Sequence, residues 1–222
     1  MRMKFFLSVV ILLAMVSISA SAVPSFNGVE QILANMQNAA KNIKTLQANI
    51  SQVTRHTQIG GPASKYNGTV IFQRGASAGR EKAIVKYTNG QQVAVVGDSI
   101  VVAQPNIKQE IHASRAKLAS ENDSYSFIAV PFASTDSLKA KFDISYSRDE
   151  GNSAVLELTP KVPNIQRATI WVDKGSWMPV KFKTFEKNGD ETLFTLSGIQ
   201  TGIRVDGNTF KVSCPGCKVT GK

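Results

Sequence analysis

The sequence predicts an α+β protein in which one amphipathic helix precedes a large antiparallel sheet, and three observations predict it. Four runs alternate apolar and polar residues with a period of two: Phe142-Asp143-Ile144-Ser145-Tyr146, Val155-Leu156-Glu157-Leu158, Thr169-Ile170-Trp171-Val172 and Val180-Lys181-Phe182-Lys183. Such alternation makes strands with one apolar face. The runs are separated by turn-formers, Asp149-Glu150-Gly151-Asn152, Asp173-Lys174-Gly175-Ser176 and Asn188-Gly189-Asp190. Asn-Gly supplies the positive φ angles of a tight hairpin, so neighbouring strands are expected to be antiparallel and to follow one another as far as Val219. Far upstream, Val29, Ile32, Leu33, Met36, Ala40 and Ile43 fall on one helical stripe, the signature of a surface helix.

In chain order, the first element is an export signal. Arg2 and Lys4 precede an apolar run from Phe5 to Ile18, and Ala20-Ser21-Ala22 is the small-residue pattern that signal peptidase accepts. Cleavage after Ala22 is expected, and the apolar run is short for a membrane span. No cysteine precedes Cys214, so no thiol is available for lipid attachment at the cleavage site and the mature chain is expected to be unanchored. Asn27 can cap the helix, with Glu30 as the reciprocal half of a capping box, which predicts a helix from Val29 to Lys44.

From Leu46 the period changes to two, with Leu46, Ala48 and Ile50 against Gln47, Asn49 and Ser51. Gly60-Gly61-Pro62-Ala63-Ser64 reads as a loop between strands. Further strands are predicted at Gly68 to Arg74, Glu81 to Tyr87, Gln92 to Val96, Ser99 to Ala103 and Lys108 to Ala113. Ser120 to Phe132 breaks the alternation. It carries Tyr125, Phe127, Ile128, Val130 and Phe132 with Pro131 among them, and reads as a short helix or apolar loop able to act as a lid. Roughly two hundred mature residues suffice for one domain over 23–222, with no linker and no repeat beyond the hairpins.

The residues point away from catalysis. The formal charge of +10 becomes +8 without the signal segment, which holds Arg2 and Lys4 and no acid. The lysines alternate with apolar residues along strands instead of forming a block, the pattern of a solvated sheet face. Neither a GxGxxG nor a Walker pattern is present, which together with export argues against nucleic acid as a partner. His56 and His112 stand on separate elements without the spacing that puts two metal ligands on one helical face, so they read as surface residues. Cys214-Pro215-Gly216-Cys217 is the one motif with chemical potential, as a redox pair, half a metal site or a disulfide. It lies near the C-terminus with no helix to follow and no second pair, which favours a disulfide in an oxidising compartment. No metal, cofactor or enzymatic activity is expected.

Several short matches lie in order along the chain: Leu46 to Gln52, Gly68 to Arg74, Gly97 to Pro105, Leu158-Thr159-Pro160-Lys161, Ile170 to Asp173, Met178-Pro179-Val180, and Phe210 leading into Pro215-Gly216. With the signal segment and leading helix, the chain resembles the periplasmic outer-membrane lipoprotein carrier proteins, the LolA family, over most of its mature length. The resemblance implies an incomplete antiparallel β-barrel of about 11 strands, its open side covered by helices around an apolar cavity for acyl chains. Candidates for the lining are Val70, Phe72, Val93, Val95, Phe142, Ile144, Leu156, Leu158, Ile170, Val172, Val180, Phe182 and Leu196. Alternation alone is equally satisfied if each simply fills the core.

In that family an arginine after the second strand, usually followed by proline, bonds to the lid and holds the empty cavity shut. Arg74 occupies the matching place; Gly75 stands where the proline would be, and Val101 and Ala103 where aromatics are usual. As an alternative, Arg74 is an ordinary surface cation. By resemblance the protein is a periplasmic monomer, loaded by an inner-membrane ABC-type exporter and unloaded to an outer-membrane acceptor. A sensor or regulator of the same fold, binding lipid or protein, is the alternative.

Overall fold

The computed structural model describes residues 28–58, 60–77, 80–114, 134–161 and 165–221. The signal segment, the Asn27 cap and the expected lid segment with Tyr125, Phe127, Ile128 and Phe132 lie outside the described residues. Helix α1 spans Gly28–Lys41 and is followed by β1 (Thr45–Arg55), β2 (Ser64–Gln73), β3 (Lys82–Tyr87), β4 (Gln92–Val96), β5 (Ser99–Gln104) and β6 (Gln109–Ser114). A second helix, α2 (Thr135–Lys141), opens the second half, with β7 (Phe142–Glu150), β8 (Ser153–Pro160), β9 (Ile165–Asp173), β10 (Pro179–Glu186), β11 (Glu191–Thr201) and β12 (Lys218–Thr220).

All the described strands join one open sheet in the order β12-β6-β5-β4-β3-β2-β1-β11-β10-β9-β8-β7. The two meanders lie side by side, joined where β1 pairs with β11. The protein is therefore mostly β, with two helices among the described residues. Three expectations are corrected. The sheet has 12 strands instead of about 11. Its last strand runs parallel to β6, where every neighbour was expected to be antiparallel. No strand interrupts the long segment between β11 and β12.

Helix α2 was not foreseen, although its capping residues are conventional. The Ser134 hydroxyl accepts the Ser137 N–H at 3.2 Å, Asp136 lies in the first turn, and Lys139 and Lys141 lie in the last. These are the charges a helix dipole favours at each end.

Cross-strand register aligns the apolar residues of one face into continuous rows. Leu46 faces Phe72, Phe72 faces Ala83, Ala83 faces Val95 and Val95 faces Ile100. In the other half Phe194 faces Phe182, Phe182 faces Ile170 and Ile170 faces Leu156. Ile32, Leu33 and Met36 of α1 and Leu138 of α2 pack into the same buried cluster. Each such side chain contributes about 1.5–3 kcal/mol on burial, so the inner face with its helices is the main core.

On the outer face, a covered patch lies over β2, β3 and β4. Ile71, Ile84 and Ala94 point outward, and the segment after β11 lays Phe210, Val205 and Val212 against them. The strap then turns through Cys214-Pro215-Gly216-Cys217. This turn is closed by a disulfide with Cα atoms 5.5 Å apart and by the Cys217 N–H bonded to the Cys214 carbonyl at 3.1 Å. Gly216 at φ 75° supplies the left-handed residue the turn requires. β12 follows directly and covers the β6 edge.

At the far end of β1, Asp190 of the β10–β11 hairpin accepts the Thr57 N–H at 3.1 Å and lies 2.9 Å from His56 Nδ1. The hydrogen bond with His56 is the main reason its carboxyl titrates below the ordinary value. A carboxyl lowered by folding stabilises fully above its unfolded value and loses that contribution as pH falls through the folded one. Melting temperatures of the parent and Asp190→Asn should therefore differ at neutral pH and converge in acid. A gap independent of pH would remove this role from Asp190. Phe210→Ala should cost about 3 kcal/mol in urea unfolding, at the low end for a buried aromatic because its cluster is small.

Candidate functional site

The strongest candidate site is the inner apolar face with the helices that roof it. Of the residues expected to line it, Val70, Phe72, Val93, Val95, Phe142, Leu156, Leu158, Ile170, Val172, Phe182 and Leu196 lie together in one buried cluster, and Ile144 packs partly buried against it. Val180 stands apart. Pro179 pairs with Val172 and Lys181 with Trp171, so β10 spends two residues where β9 spends one. Val180 is the extra residue of this bulge and is only partly buried.

The face also includes residues that sequence reasoning left out: Leu46, Ala48, Ile50, Val85, Ile100, Val102, Ala168 and Phe194. Leu46, Ala48 and Ile50 were legible as one side of an alternating run. Val85 was not, because Ala83-Ile84-Val85 is apolar throughout and both faces of β3 are buried. Leu193 and Phe194 are adjacent apolar residues of β11, which leaves its phase ambiguous.

The inner face changes character along the strands. It is apolar where α1 ends, at the level of Leu46 and Phe72. At the opposite end it turns polar, with a buried Thr184 and Thr192 in one row beside Thr54, whose hydroxyl lies 3.1 Å from that of Thr192. The Tyr87 hydroxyl donates to Gln52 Oε1 at 2.6 Å in the next row. Leu46, Val85, Ala168 and Val172 have no exposed surface at all.

Arg74 follows the last residue of β2 and binds the end of α1. Its Nη2 donates to the Ala40 carbonyl at 2.7 Å, its Nε to the Ile43 carbonyl at 3.0 Å, and its backbone N–H to the Lys44 carbonyl at 2.8 Å. Ala40 lies in the last turn of α1 and Ile43 and Lys44 in the link to β1; the end of a helix carries the negative end of its dipole, so a guanidinium fits there in both geometry and charge. The guanidinium also lies 6.0 Å from the Phe72 ring centroid. The neighbouring Gly75 has the Arg80 backbone where a Cβ would sit, so this loop packs too closely there for a side chain.

The other chemical candidates do not converge on this face. His112 pairs with Glu110 at 2.6 Å and His56 with Asp190. Among the described residues no three potential ligands gather around a metal position, and none of the helices is long and apolar enough to cross a membrane.

An open sheet, antiparallel but for β12, with one roofed apolar face defines a known class of proteins. The chain belongs to the LolA family: residues 41–213 match the family of the outer membrane lipoprotein carrier protein LolA. The match runs from the last residue of α1 to the residue before the disulfide. Among solved structures, an uncharacterized conserved protein from Thermus thermophilus has a TM-score of 0.53 at 9% identity, covering 87% of this chain and 98% of the other. A DUF1329 family protein from Desulfovibrio piger has a TM-score of 0.52 at 13% identity, covering 82% and 95%. A LolA superfamily protein from Nitrosomonas europaea has a TM-score of 0.45 at 17% identity, covering 82% and 96%. Comparison with curated proteins finds no match.

A hydrogen bond from a charged donor is worth about 1.5–3 kcal/mol. Arg74→Leu should therefore speed amide exchange in α1 roughly ten- to hundredfold while β8 and β9 keep their protection. Arg74→Lys should restore only part of it, since an ammonium cannot span two carbonyls as the guanidinium fork does. Unchanged exchange in α1 would mean that Arg74 does not hold the helix.

Proposed function

We propose that the protein is an exported periplasmic carrier, cleaved after Ala22, that takes the acyl chains of lipoproteins or a related lipid onto its inner face. The carried ligand moves from the inner to the outer membrane. Loading comes from an inner-membrane ABC-type exporter, delivery is to an outer-membrane acceptor, and the carrier works as a monomer without catalysing a reaction. Family membership supports this reading, but the observation that carries it is the roofed inner face itself. A large apolar surface is covered by two short helices, and a single residue, Arg74, makes three hydrogen bonds to the last turn of α1 and the link that follows it.

The physical logic is exchange. With the core side chains of that face buried, acyl chains reach them as the helices lift, and the chains then replace the contacts of Ile32, Leu33, Met36 and Leu138 with contacts of their own. Each methylene buried gains about 0.8 kcal/mol, so a ligand covered completely would never leave. Closure of the empty protein, including the Arg74 bonds, offsets part of that gain and favours discharge. The residues that receive the chains are those of the inner face named above, with Val180 off the contact surface.

The test is native mass spectrometry with lipid extraction on mature protein purified from the periplasm, for the parent and Arg74→Leu. Acylated lipid or lipoprotein should co-purify, and more of it with Arg74→Leu, because the loaded state no longer competes with the closed one. Two lipid-free samples that also fail to bind a fluorescent fatty acyl probe would overturn the carrier reading in favour of a protein-binding regulator on the same fold.

A further inference from the structure

We propose that Lys161, the last residue of Leu158-Thr159-Pro160-Lys161, is a second latch that positions the roof by holding α2 as Arg74 holds α1. This inference rests on the carrier reading for its role and on local geometry for its mechanism. Lys161 follows the last residue of β8, as Arg74 follows the last residue of β2. Its ammonium donates to the Lys139 carbonyl at 2.7 Å, and its backbone N–H donates to the Lys141 carbonyl at 2.9 Å. The Phe142 N–H donates to the Leu138 carbonyl, so three of the four carbonyls that end α2 have partners and Lys161 supplies two of them.

The correspondence extends to the surroundings. In each half a helix leads into a strand, α2 directly into β7 and α1 through three residues into β1. That strand pairs with the next, and the first cation beyond the pair returns to the helix end. The terminal pairs are Thr45 with Gln73 and Phe142 with Pro160. The same device thus occurs twice with no shared sequence beyond a basic residue after a strand.

The two latches are joined through the helices. Lys139, whose carbonyl receives Lys161, directs its own ammonium to Glu30 of α1 at 2.6 Å. A continuous path therefore runs from the end of β2 through Arg74, α1, Glu30, Lys139, α2 and Lys161 to the end of β8. These strands are five positions apart in the sheet, so the path crosses the roofed face. The latches are unequal. Arg74 makes two side-chain bonds in a partly buried setting, whereas the Lys161 side chain is 45% exposed. An exposed cation at a helix end is worth less and is screened by salt, so α2 is the helix that yields first.

The experiment compares the parent with Lys161→Met, which keeps the length and removes the charge, and with Lys161→Arg. The first readout is amide exchange of the ligand-free protein. Lys161→Met should speed exchange in α2 roughly two- to fivefold, less so at high salt, with α1 and the β8–β9 amides unchanged; Lys161→Arg should restore it. The second readout is binding of a fluorescent fatty acyl probe, which should be faster in Lys161→Met than in the parent at an unchanged melting temperature. Exchange in α2 that does not change, or that rises equally through the sheet, overturns the latch. Faster α2 exchange without any probe binding supports the latch while the carrier reading falls, and probe binding with unaltered α2 exchange does the reverse.

Discussion

Everything in this structure follows from one face of a twelve-stranded open sheet being apolar from strand to strand, because that surface must be covered. The cover is short for the distance. From β2 to β7 there are six strand steps in the sheet, about 29 Å if flat. The fourteen residues of α1 make a helix only about 21 Å long. Its last turn is bound at the end of β2 by Arg74, and Glu30 in its first turn reaches α2, which leads straight into β7. The sheet must curl around the helices for one cluster of buried residues to include both halves.

The energies divide the work. Apolar contact pulls the helices onto the sheet, at about 1.5–3 kcal/mol for each large side chain; the polar bonds at the helix ends are individually smaller. Yet a ligand with acyl chains would replace the apolar contacts with equivalent ones, so that their difference between the two states is slight. In the proposed loaded state with the helices lifted, the hydrogen bonds from Arg74 and Lys161 would have no counterpart. In that proposal, small interactions govern an equilibrium between two states that both bury the same surface.

The remaining surfaces are protected in different ways. The outer side of β2 to β4 is covered by Phe210 and its neighbours, and β12 pairs along β6. At the other end of the sheet, β7 carries Asp143, Arg148, Asp149 and Glu150, most of it exposed. Charges along an edge strand discourage pairing with another chain. The disulfide between Cys214 and Cys217 lies where the strap gives way to β12, and encloses too short a loop for chain entropy to make it a large source of stability.

Much of this was legible because alternation and turn chemistry are local. Phe142-Asp143-Ile144 and Val155 to Leu158 could be read as strands with a definite inner side, and Leu158, Ile170 and Phe182 do face the core. The period failed where both faces are buried, as at Ile84 and Ala94, and at Val180, where a bulge shifts the phase. Arg74 could be singled out only by resemblance, and nothing local to Lys161 links it to Lys139, 22 residues earlier. By itself the sequence determined the helix stripe, the antiparallel meander, the likeness to the family and most of the inner face. Only the tertiary structure decided that β1 pairs with β11, that the C-terminal strap covers the outer face, and which carbonyls the two cations reach. Those outcomes depend on contacts between distant segments, whose partners are selected by the geometry of the whole sheet and not by any local pattern.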